Sequence, residues 1–451
     1  MMREPAFSQL ARPQPRDLRG LRVLVLGLGD TGLSAARWIE RQGGTPRVAD
    51  TRPRPPRAKD FAGELHTGPF DLRLLEEVDL LCLSPGLSLE EPVIRHALQR
   101  SIPILGDMEL FAWQNRSKVL AITGTNGKTT VTSLVGHLLR SAGVDREVAG
   151  NIGPAALAAA MKRSAPPAAW VLELSSYQLE TTWSLSPEAA AVLNVTEDHL
   201  DRYASLAHYA AAKARVLLGA RVQVLNRDDP LSLAMALRDV PIRTFGLDAP
   251  PSQHDYGVVG GMLHRGSTSI LPASELRIRG GHNLSNALAA CALAGDMVSP
   301  EALRAGLRTF DGLPHRVQLI ATRRGVEWYD DSKGTNVGAT IAALKGLAKP
   351  AILILGGEGK EQDFRPLRTV VERFSKRVLL IGRDAGLIER ALDGLPTGRC
   401  ATLEEAVQEA ARQAASGDAV LLSPACASFD MFRDYKHRGE VFAAAVKALP
   451  A

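Results

Sequence analysis

Short apolar runs recur along the whole chain of 451 residues, and segments of helical character lie between them. Most of these runs are apolar on consecutive rather than alternate positions, which is typical of strands buried on both faces of a parallel sheet. The pattern therefore predicts an α/β fold built from repeated strand and helix units. The predicted strands are residues 21–26, 118–122, 170–174, 190–195, 222–225, 351–355, 377–381 and 419–422.

The clearest helical periodicity begins after Lys128. Five apolar residues there follow the i, i+3, i+4, i+7, i+8 rule of a helix that packs one face on a sheet. Gly143 lies where a C-terminal cap belongs, so the pattern predicts both ends of this helix. The five residues are Val131, Leu134, Val135, Leu138 and Leu139.

A chain of 451 residues is expected to form three domains, because a single hydrophobic core usually stops growing well short of that length. Residues 107–113 link the first α/β unit to the second, and the turn at 311–314 precedes a third. We predict a Rossmann-like N-terminal domain (1–107), a central P-loop ATPase-like domain with a parallel sheet (108–312) and a Rossmann-like C-terminal domain (313–451).

Composition and charge narrow the function classes. Hydrophobic residues make up 45% of the chain and charged residues 23%, as in ordinary soluble globular proteins. The net charge of +5 comes from scattered basic residues with few aromatic residues among them. This favours anionic small substrates over a nucleic-acid partner or an ATP-driven nucleic-acid switch. The four cysteines contain no C-x-x-C pair, which argues against a zinc site or a disulfide framework and fits a reducing cytoplasm.

No targeting or membrane segment is evident in the sequence. The first twenty residues lack the apolar stretch of a secretory signal. No later segment reaches the roughly 18 uninterrupted apolar residues of a membrane helix. We therefore expect a cytoplasmic protein that does not insert into membranes.

A glycine motif follows the first predicted strand. Residues 27–32 read G-L-G-D-T-G, and Asp50 follows at the end of the next apolar run, as in dinucleotide-binding proteins. Alone, this motif predicts NAD and a nicotinamide dehydrogenase, but a UDP-sugar meets the same demands, and a tight turn without a ligand is a third interpretation. The Asp-Thr-Arg at 50–52 and the strand-end loop 84–86 favour the nucleotide sugar. The candidate substrate-binding residues are Asp30, Thr31, Asp50, Thr51, Arg52, Gly86 and Asn151.

The strongest motif is a phosphate-binding loop. Residues 121–130, A-I-T-G-T-N-G-K-T-T, join a strand to the periodic helix, so backbone N–H groups and the helix N-terminus face incoming phosphates. Lys128 can neutralise the β- and γ-phosphates of ATP, and the Thr129 hydroxyl can bind Mg²⁺. The strict G-x-x-x-x-G-K-[ST] pattern fails because Ile122 occupies its first position. The candidate nucleotide-binding residues are Gly124, Thr125, Asn126, Gly127, Lys128, Thr129 and Thr130.

A carboxylate at a strand end is the natural partner for the metal. Mg²⁺ usually takes only one or two carboxylates from the protein, and Glu173 ends the predicted strand 170–174. The alternative is a salt-bridged glutamate at a strand terminus. Glu173 is therefore a candidate Mg²⁺ ligand together with Thr129.

Four glycine-punctuated strand ends in the last third of the chain point to one further site. They are residues 312–316, 330–336, 356–360 and 423–430. Arg316 and Lys333 can neutralise the γ-phosphate as it transfers, Asp331 can accept the ribose hydroxyls of ATP, and Asn286 can bind the adenine side. Cys426 has no base placed for it and is interpreted as structural.

The short loop G-T-N-G-K-T-T resembles that of the muramyl ligases and the folylpolyglutamate synthases. Two further segments resemble family motifs: E-L-S-S-x-Q-L-E from Glu173, and N-x-T-x-D-H-x-D-R at 194–202. The resemblance implies that His199 binds a second Mg²⁺ and that Lys213 is carbamylated. Carbamylation needs a neutral amine, which an ordinary lysine supplies only rarely at pH 7. Without the resemblance, Lys213 would be an ordinary surface lysine on an Ala-rich helix.

The segments S-P-A-C-A-S-F-D, G-L-P-H-R, D-S-K-x-T-N and D-T-R together resemble the D-glutamate-adding members of the muramyl peptide ligase family over nearly the full chain. The resemblance implies a monomeric ATP- and Mg²⁺-dependent amide-forming ligase of peptidoglycan precursor synthesis. Its substrates would be UDP-N-acetylmuramoyl-L-alanine and D-glutamate, joined through an acyl phosphate. The implied catalytic residues are Lys128, His199, Lys213 and Lys333, and the implied D-glutamate contacts are Thr335, Lys360, Ser428, Phe429 and Tyr435.

Other members of the superfamily remain an alternative. Another muramyl ligase or a folylpolyglutamate synthase would share the ATP chemistry but not the amino acid. The D-N-P-R motif of the meso-diaminopimelate-adding enzyme does not occur in this sequence.

Overall fold

The computed structural model describes residues 6–14, 17–199, 201–347 and 349–450, which fold around three β-sheets. The start of the chain, used above to argue against a secretory signal, lies partly outside these ranges, and so does Leu200 within the 194–202 motif. The domain limits at residues 107 and 312 stay a prediction. Within the described ranges, no helix has the length and apolar character needed to cross a bilayer.

The first sheet is five-stranded and entirely parallel, in the order β3-β2-β1-β4-β5. Every residue of β4 is buried, and so are the last four of β1, as the continuous apolar runs predict. The order reverses between β1 and β4, so the loops after these two strands meet at one crevice. The elements are β1 (Arg22–Leu26), α1 (Asp30–Arg41), β2 (Thr45–Asp50), β3 (Glu64–Thr67), β4 (Leu80–Leu83), α2 (Pro92–Gln99), β5 (Ile104–Gly106) and α3 (Asp107–Gln114).

The second sheet has nine strands in the order β14-β13-β12-β11-β10-β9-β6-β8-β7. Strands β6 to β11 are parallel to their neighbours, and β12 to β14 pair antiparallel. The strands are β6 (Lys118–Thr123), β7 (Arg146–Gly150), β8 (Ala169–Glu173), β9 (Ala189–Val192), β10 (Gln223–Asn226), β11 (Ile242–Phe245), β12 (Tyr256–Val259), β13 (Met262–Arg265) and β14 (Thr268–Pro272). The helices are α4 (Lys128–Ser141), α5 (Ala156–Lys162), α6 (Ser176–Glu180), α7 (Leu206–Ala214), α8 (Pro230–Leu233), α9 (Gly281–Ala294) and α10 (Pro300–Thr309).

The third sheet has six strands in the order β15-β16-β20-β17-β18-β19, parallel except for the β15–β16 hairpin. Its core lies in two layers, one on each face of the sheet. The elements are β15 (Gln318–Arg323), β16 (Val326–Asp330), α11 (Val337–Leu347), β17 (Ala351–Gly356), α12 (Leu367–Phe374), β18 (Ser375–Ile381), α13 (Ala385–Ala391), β19 (Thr397–Arg399), α14 (Leu403–Gln413), β20 (Ala419–Leu422) and α15 (Tyr435–Ala448).

The α/β architecture is confirmed, and each of the eight apolar runs forms a strand. Helix α4 begins at Lys128, and Gly143 follows its last turn with φ +72°. The antiparallel strands β12 to β14 were not predicted, because their half-exposed faces leave no continuous apolar run. A signal was present: Gly260 and Gly261, both at positive φ, form the two-residue turn between β12 and β13.

The first two sheets share a hydrophobic core through α3. Phe111 on α3 packs edge-on against Trp170 of β8, with ring centroids 5.0 Å apart. Glu109 is fully buried, and its Oε2 accepts hydrogen bonds from Trp183 N at 2.6 Å and Ser184 N at 2.8 Å. The third sheet keeps its own core and meets the second through α11 and α9. The first two sheets are therefore held as one unit.

Candidate active site

The phosphate loop wraps around the amine of Lys128. Gly124 and Gly127 adopt φ +154° and +83°, which permits the sharp turn from β6 into α4. Lys128 Nζ donates to Gly124 O and to Thr125 O, both at 2.8 Å. A Cβ on Gly127 would lie only 2.5 Å from Asn286 Oδ1, so glycine lets α9 approach the loop. The loop thus places an amine at the N-terminus of a 14-residue helix, whose first N–H groups have no carbonyl partner within the helix.

The segment after β9 braces this loop. Asn194 Oδ1 accepts from Asn126 N at 2.8 Å, and Asn194 Nδ2 donates to Asn126 O at 3.1 Å. Thr125 Oγ1 donates to Thr196 O at 3.2 Å and accepts from Thr196 N at 3.0 Å. Sequence reasoning placed Asn194 and Thr196 in the 194–202 motif without this role. Polar residues directly after an apolar strand were the available signal.

Lys213 reaches the same loop from α7. Its Nζ donates to Gly124 O at 2.8 Å and lies 4.3 Å from the centre of the Tyr209 ring, and the residue is 1% exposed. Burial lowers the pKa of Lys213 well below that of an ordinary lysine, and the positive charge of Lys128 lowers it further. The negative charge of Asp198 acts in the opposite direction but is the weaker effect. A larger fraction of the amine is therefore neutral at pH 7. The predicted surface alternative does not hold, because the side chain is enclosed.

Two of the predicted metal ligands, Glu173 and His199, are largely enclosed side chains with a free or neutral donor atom. Glu173 is buried; its Oε1 accepts from Asn151 Nδ2 at 2.7 Å, whereas its buried Oε2 has no hydrogen-bond partner in the described part of the chain. Burial lowers the pKa of His199 against the effect of Asp198, which favours the neutral imidazole that can bind a metal. Among the described residues, no three or more His, Cys, Asp or Glu cluster around one point. Mg²⁺ needs few protein ligands, because it keeps water and phosphate oxygens.

A cavity of about 260 Å³ lies between the central and third domains. Its lining contains three residues that the sequence analysis assigned to ATP: Asn286, Arg316 and Asp331. They lie beside Asn126 and Gly127 of the phosphate loop. Helix α9 supplies the first, and the loops around β15 and β16 supply the others. Its lining also includes Asn126, Gly127, Thr130, Asn194, Thr196, His282, Asn283 and Lys333.

Two groups in this cavity titrate near neutral pH. Burial raises the pKa of Asp331 to about 7, although Ser423 Oγ donates to its Oδ2 at 2.6 Å. Burial and then the charge of Arg316 lower the pKa of Lys333 to about 8. Lys333 Nζ lies 3.9 Å from the centre of the Tyr435 ring. Arg316 and Lys333 thus place two basic groups in the cavity, and their mutual repulsion adds to the effect of burial on the pKa of Lys333.

A larger cavity, of about 950 Å³, opens between the first and central domains. Asp50 is nearly saturated there: Leu28 N donates to Oδ2 at 2.7 Å, and Arg52 Nη2 donates to it at 2.6 Å. Burial raises the pKa of Asp50, but hydrogen bonds from Arg52 and Leu28 outweigh this and lower it to about 2. All seven predicted substrate residues line this cavity: Asp30, Thr31, Asp50, Thr51, Arg52, Gly86 and Asn151.

Three further cations line the larger cavity and were missed by the sequence reasoning. They are Arg37 on α1, Arg57 after β2, and Lys162 at the end of α5. Arg57 Nε donates to Asp30 Oδ1 at 2.6 Å, which holds the β2 loop over the α1 N-terminus. Scattered arginines gave no sequence signal, since their convergence depends on how the loop after β2 folds back.

The predicted amino-acid contacts lie on the loops of the third domain. Tyr435 begins α15 and lies beside Lys333. Lys360 is close enough to His199 for its charge to add to burial in lowering the pKa of His199, against the effect of Asp198. Ser428 is buried, whereas Phe429 is 69% exposed. Thr335 N donates to Lys333 O at 2.9 Å.

Cys426 lies within one of these loops, 423–430, and is fully buried. Burial raises the pKa of its thiol to about 12, which keeps it protonated and agrees with a structural role. Arg438, also fully buried, donates to Cys426 O at 3.1 Å and to Ser332 O at 2.8 Å. This arginine, missed by the sequence reasoning, ties the 423–430 loop to the 330–336 loop.

The sequence matches three family models in order along the chain. Residues 21–106 match the "Mur ligase MurD-like, N-terminal domain", residues 122–294 the "Mur ligase middle domain", and residues 315–426 the "Mur ligase, glutamate ligase domain". Curated relatives from Nitrosospira multiformis and Thiobacillus denitrificans are each 52% identical over 96% of this chain. The alignments cover 97% and 98% of the relatives, and both are named UDP-N-acetylmuramoylalanine–D-glutamate ligase.

Solved structures share the fold at low identity. A UDP-N-acetylmuramate-alanine ligase from Thermotoga maritima superposes with a TM-score of 0.60 at 18% identity, over 95% of this chain and 99% of that one. MurF from Acinetobacter baumannii gives a TM-score of 0.61 at 18% identity, over 94% and 93% of the two chains. A Mycobacterium tuberculosis folylpolyglutamate synthase gives 0.57 at 16% identity, over 74% and 93%.

Proposed function

The chain belongs to the Mur ligase family, and we propose that it joins D-glutamate to UDP-N-acetylmuramoyl-L-alanine with cleavage of ATP to ADP and phosphate. The observation that carries this proposal is the link between its two cavities. Asn151 lines the 950 Å³ cavity and donates to Glu173 Oε1 at 2.7 Å, and Glu173 ends β8, which pairs with the β6 strand that leads into the phosphate loop. A carboxylate held in the larger cavity can therefore meet the γ-phosphate of ATP.

The reaction proceeds in two transfers, and the protein forms no covalent bond with the substrates. A carboxylate oxygen of the terminal alanine attacks the γ-phosphorus, and the bond to the β-phosphate oxygen breaks to release ADP. The amine of D-glutamate then attacks the acyl carbonyl, loses a proton, and expels phosphate from a tetrahedral intermediate. Lys128, Lys333 and Arg316 neutralise charge on the transferring phosphoryl group. Alignment of three substrates supplies much of the rate enhancement.

Thr129, Glu173 and His199 would hold the Mg²⁺ ions, two in number. The unpartnered Glu173 Oε2 and the low pKa of His199 support this set. When bound, Mg²⁺ offsets the negative charge of the β- and γ-phosphates. Asn286, Arg316 and Asp331 bind the adenosine and γ-phosphate ends of ATP.

Lys213 carries a carbamate in the working enzyme. Its neutral amine would attack CO₂ through nitrogen and lose one proton, so that an anion replaces a cation beside Lys128. The enclosed amine and its lowered pKa support this step. Incubation with ¹³C-bicarbonate should give a carbamate resonance in ¹³C NMR. A spectrum in which Lys213→Ala keeps that resonance would assign it elsewhere.

D-Glutamate occupies the third domain, where Lys360 pairs with a carboxylate and Thr335, Ser428, Phe429 and Tyr435 orient the molecule. The larger cavity, with its arginines, holds the UDP-sugar. The proposed domain limits, 1–107, 108–312 and 313–451, assign one substrate to each unit. We further propose that the enzyme works as a monomer. The supply of ATP and of a UDP-sugar implies action in the cytoplasm.

Phosphate release tests the proposal directly. The chain is assayed with ATP, Mg²⁺ and UDP-N-acetylmuramoyl-L-alanine, and D-glutamate, L-glutamate, L-lysine and diaminopimelate are offered in parallel. We expect release stimulated by D-glutamate alone. Stimulation by another amino acid would reassign the third-domain pocket, and no release with any of them would refute the ligase chemistry for these substrates.

A further inference from the structure

Helix α11 of the third domain begins against the phosphate loop of the central domain. Asn336 Oδ1 accepts a hydrogen bond from Ala339 N at 2.8 Å, which is the contact of a helix N-cap. The same amide forms a reciprocal pair with Asn126. Asn126 Nδ2 donates to Asn336 Oδ1 at 3.3 Å, and Asn336 Nδ2 donates to Asn126 Oδ1 at 3.1 Å. Asn336 Nδ2 also donates to Asp198 Oδ2 at 3.3 Å, so one side chain joins two domains.

The first turn of α11 is shaped for this close approach. A Cβ on Gly338 would lie 3.0 Å from Thr196 Oγ1 and 3.4 Å from Asn126 Nδ2. Alanine is the better helix former, so helix propensity does not explain glycine at this position. Contact with the phosphate loop and its brace does explain it.

Helix α11 is also tied to the residues that face ATP from the third domain. Thr340 Oγ1 donates to Ser423 O at 3.0 Å, and Ser423 Oγ donates to Asp331 Oδ2 at 2.6 Å. Asp331 O in turn accepts from Gly334 N at 2.7 Å, next to Lys333. A displacement of α11 would therefore carry Asp331 and Lys333 with it.

We propose that Asn336 is a positioning residue for phosphoryl transfer, because its amide pair with Asn126 sets the distance between Lys128 of the phosphate loop and Lys333 of the third domain. The inference rests on the proposed function, since phosphoryl transfer is the step that needs both cations. The competing explanation is that Asn336 only caps α11. Positioning and capping can be separated, because serine keeps the cap but is too short to reach Asn126.

The test is a double-mutant cycle with Asn336→Ser and Asn126→Ala, measured by phosphate release. A misplacement of about 1 Å can cost about 100-fold in rate, so we expect N336S to lower kcat by roughly 10- to 100-fold. The KM for the UDP-substrate, bound in the other cavity, and the melting temperature should stay close to wild type. If the pair acts as a unit, N126A/N336S will be no slower than the slower single variant.

Two further variants keep the test decisive. Gly338→Ala favours the helix by propensity but should lower kcat, since it pushes α11 off the loop. Thr402→Ala removes the N-cap of α14 in the same domain, where Thr402 Oγ1 accepts from Glu405 N at 3.1 Å, and should lower the melting temperature while kcat is kept.

Multiplicative effects in the cycle would overturn the proposal, as would wild-type kcat in N336S or in G338A. An N336S variant with wild-type kcat and a wild-type melting temperature would assign Asn336 to capping alone. Wild-type release with each amino acid is measured in the same assay. If wild type prefers another amino acid, the proposed substrate is refuted. The double-mutant cycle is then measured with that amino acid, so the proposal about Asn336 is still tested.

Discussion

Two glycine loops occupy equivalent places in the first and central sheets, yet they are built for different ligands. The loop after β1 has no lysine, and the carboxylate beside it, Asp50, is saturated by Leu28 N and Arg52. In the loop after β6, Gly124 O receives hydrogen bonds from both Lys128 and Lys213. The glycines shape the turn in each case, while the converging charges select the ligand.

Removal of the Lys128 amine from the phosphate loop should have the largest effect on activity. Lys128→Ala is expected to lower kcat for phosphate release by on the order of 10²- to 10³-fold, as loss of one preorganised charge at a transition state does. Lys118→Ala, at the exposed opposite end of β6, is the matched control and should retain activity. If K128A kept most of its activity, the central loop would be only a turn, like the third interpretation of the first loop.

The metal site gives the next largest effect. Glu173→Gln keeps an oxygen for Asn151 Nδ2 but removes the charge on the unpartnered Oε2. The Mg²⁺ concentration for half-maximal activity should rise at least about 10- to 100-fold, since even outer-sphere changes at metal sites have effects of that size. Glu147→Gln on β7, paired with Arg163 at 3.0 Å, is the control. An unchanged Mg²⁺ requirement in E173Q would remove Glu173 from the metal site.

At the first loop, the charges act on binding rather than on the chemical step. Arg57→Ala should raise the KM for the UDP-substrate about tenfold with kcat retained, because one charge-assisted hydrogen bond to a phosphate is lost. Its pair with Asp30 is exposed, at 45% and 74% for the two side chains, so stability should hardly change. Arg73→Ala, paired with Asp71 on another face, is the control. A fall in kcat alone would contradict this division between the loops.

The ATP cavity should give a smaller effect, which depends on pH. Asp331, with its pKa raised to about 7, becomes the stronger acceptor for ribose hydroxyls as it ionises when the pH rises through 7. Lys333, with its pKa lowered to about 8, loses its charge as the pH rises through 8. Activity at subsaturating ATP should therefore peak between these values. Lys333→Arg should extend the alkaline limb, and a limb that stays near 8 would assign it to another group.

The sequence predicted the parts of the fold and the site that depend on local pattern. Buried parallel strands such as β6 and β17 are apolar on successive residues, and the phosphate loop is contiguous. Contacts between domains leave no comparable local pattern in the sequence, so they were not predicted. The Asn126–Asn336 pair joins residues 210 positions apart, and Arg57 reaches its cavity only because the β2 loop folds back. Lys213 looked like a surface residue for the same reason, since an Ala-rich helix does not reveal what covers it.

The last prediction concerns the nicotinamide alternative for the first loop, where we expect that adding the dinucleotide has no effect. In a dinucleotide site the carboxylate after the second strand accepts from ribose hydroxyls. Here both oxygens of Asp50 already accept hydrogen bonds from the guanidinium of Arg52, and Oδ2 also accepts one from Leu28 N. A ribose hydroxyl would have to displace this guanidinium, whose hydrogen bonds outweigh burial and lower the pKa of Asp50 to about 2. NAD⁺ or NADH should therefore leave the melting temperature and the nicotinamide absorbance unchanged, whereas the UDP-substrate should raise the melting temperature by mass action. Stabilisation by NADH in wild type, lost in Asp50→Asn, would show that the first glycine loop is a dinucleotide site after all.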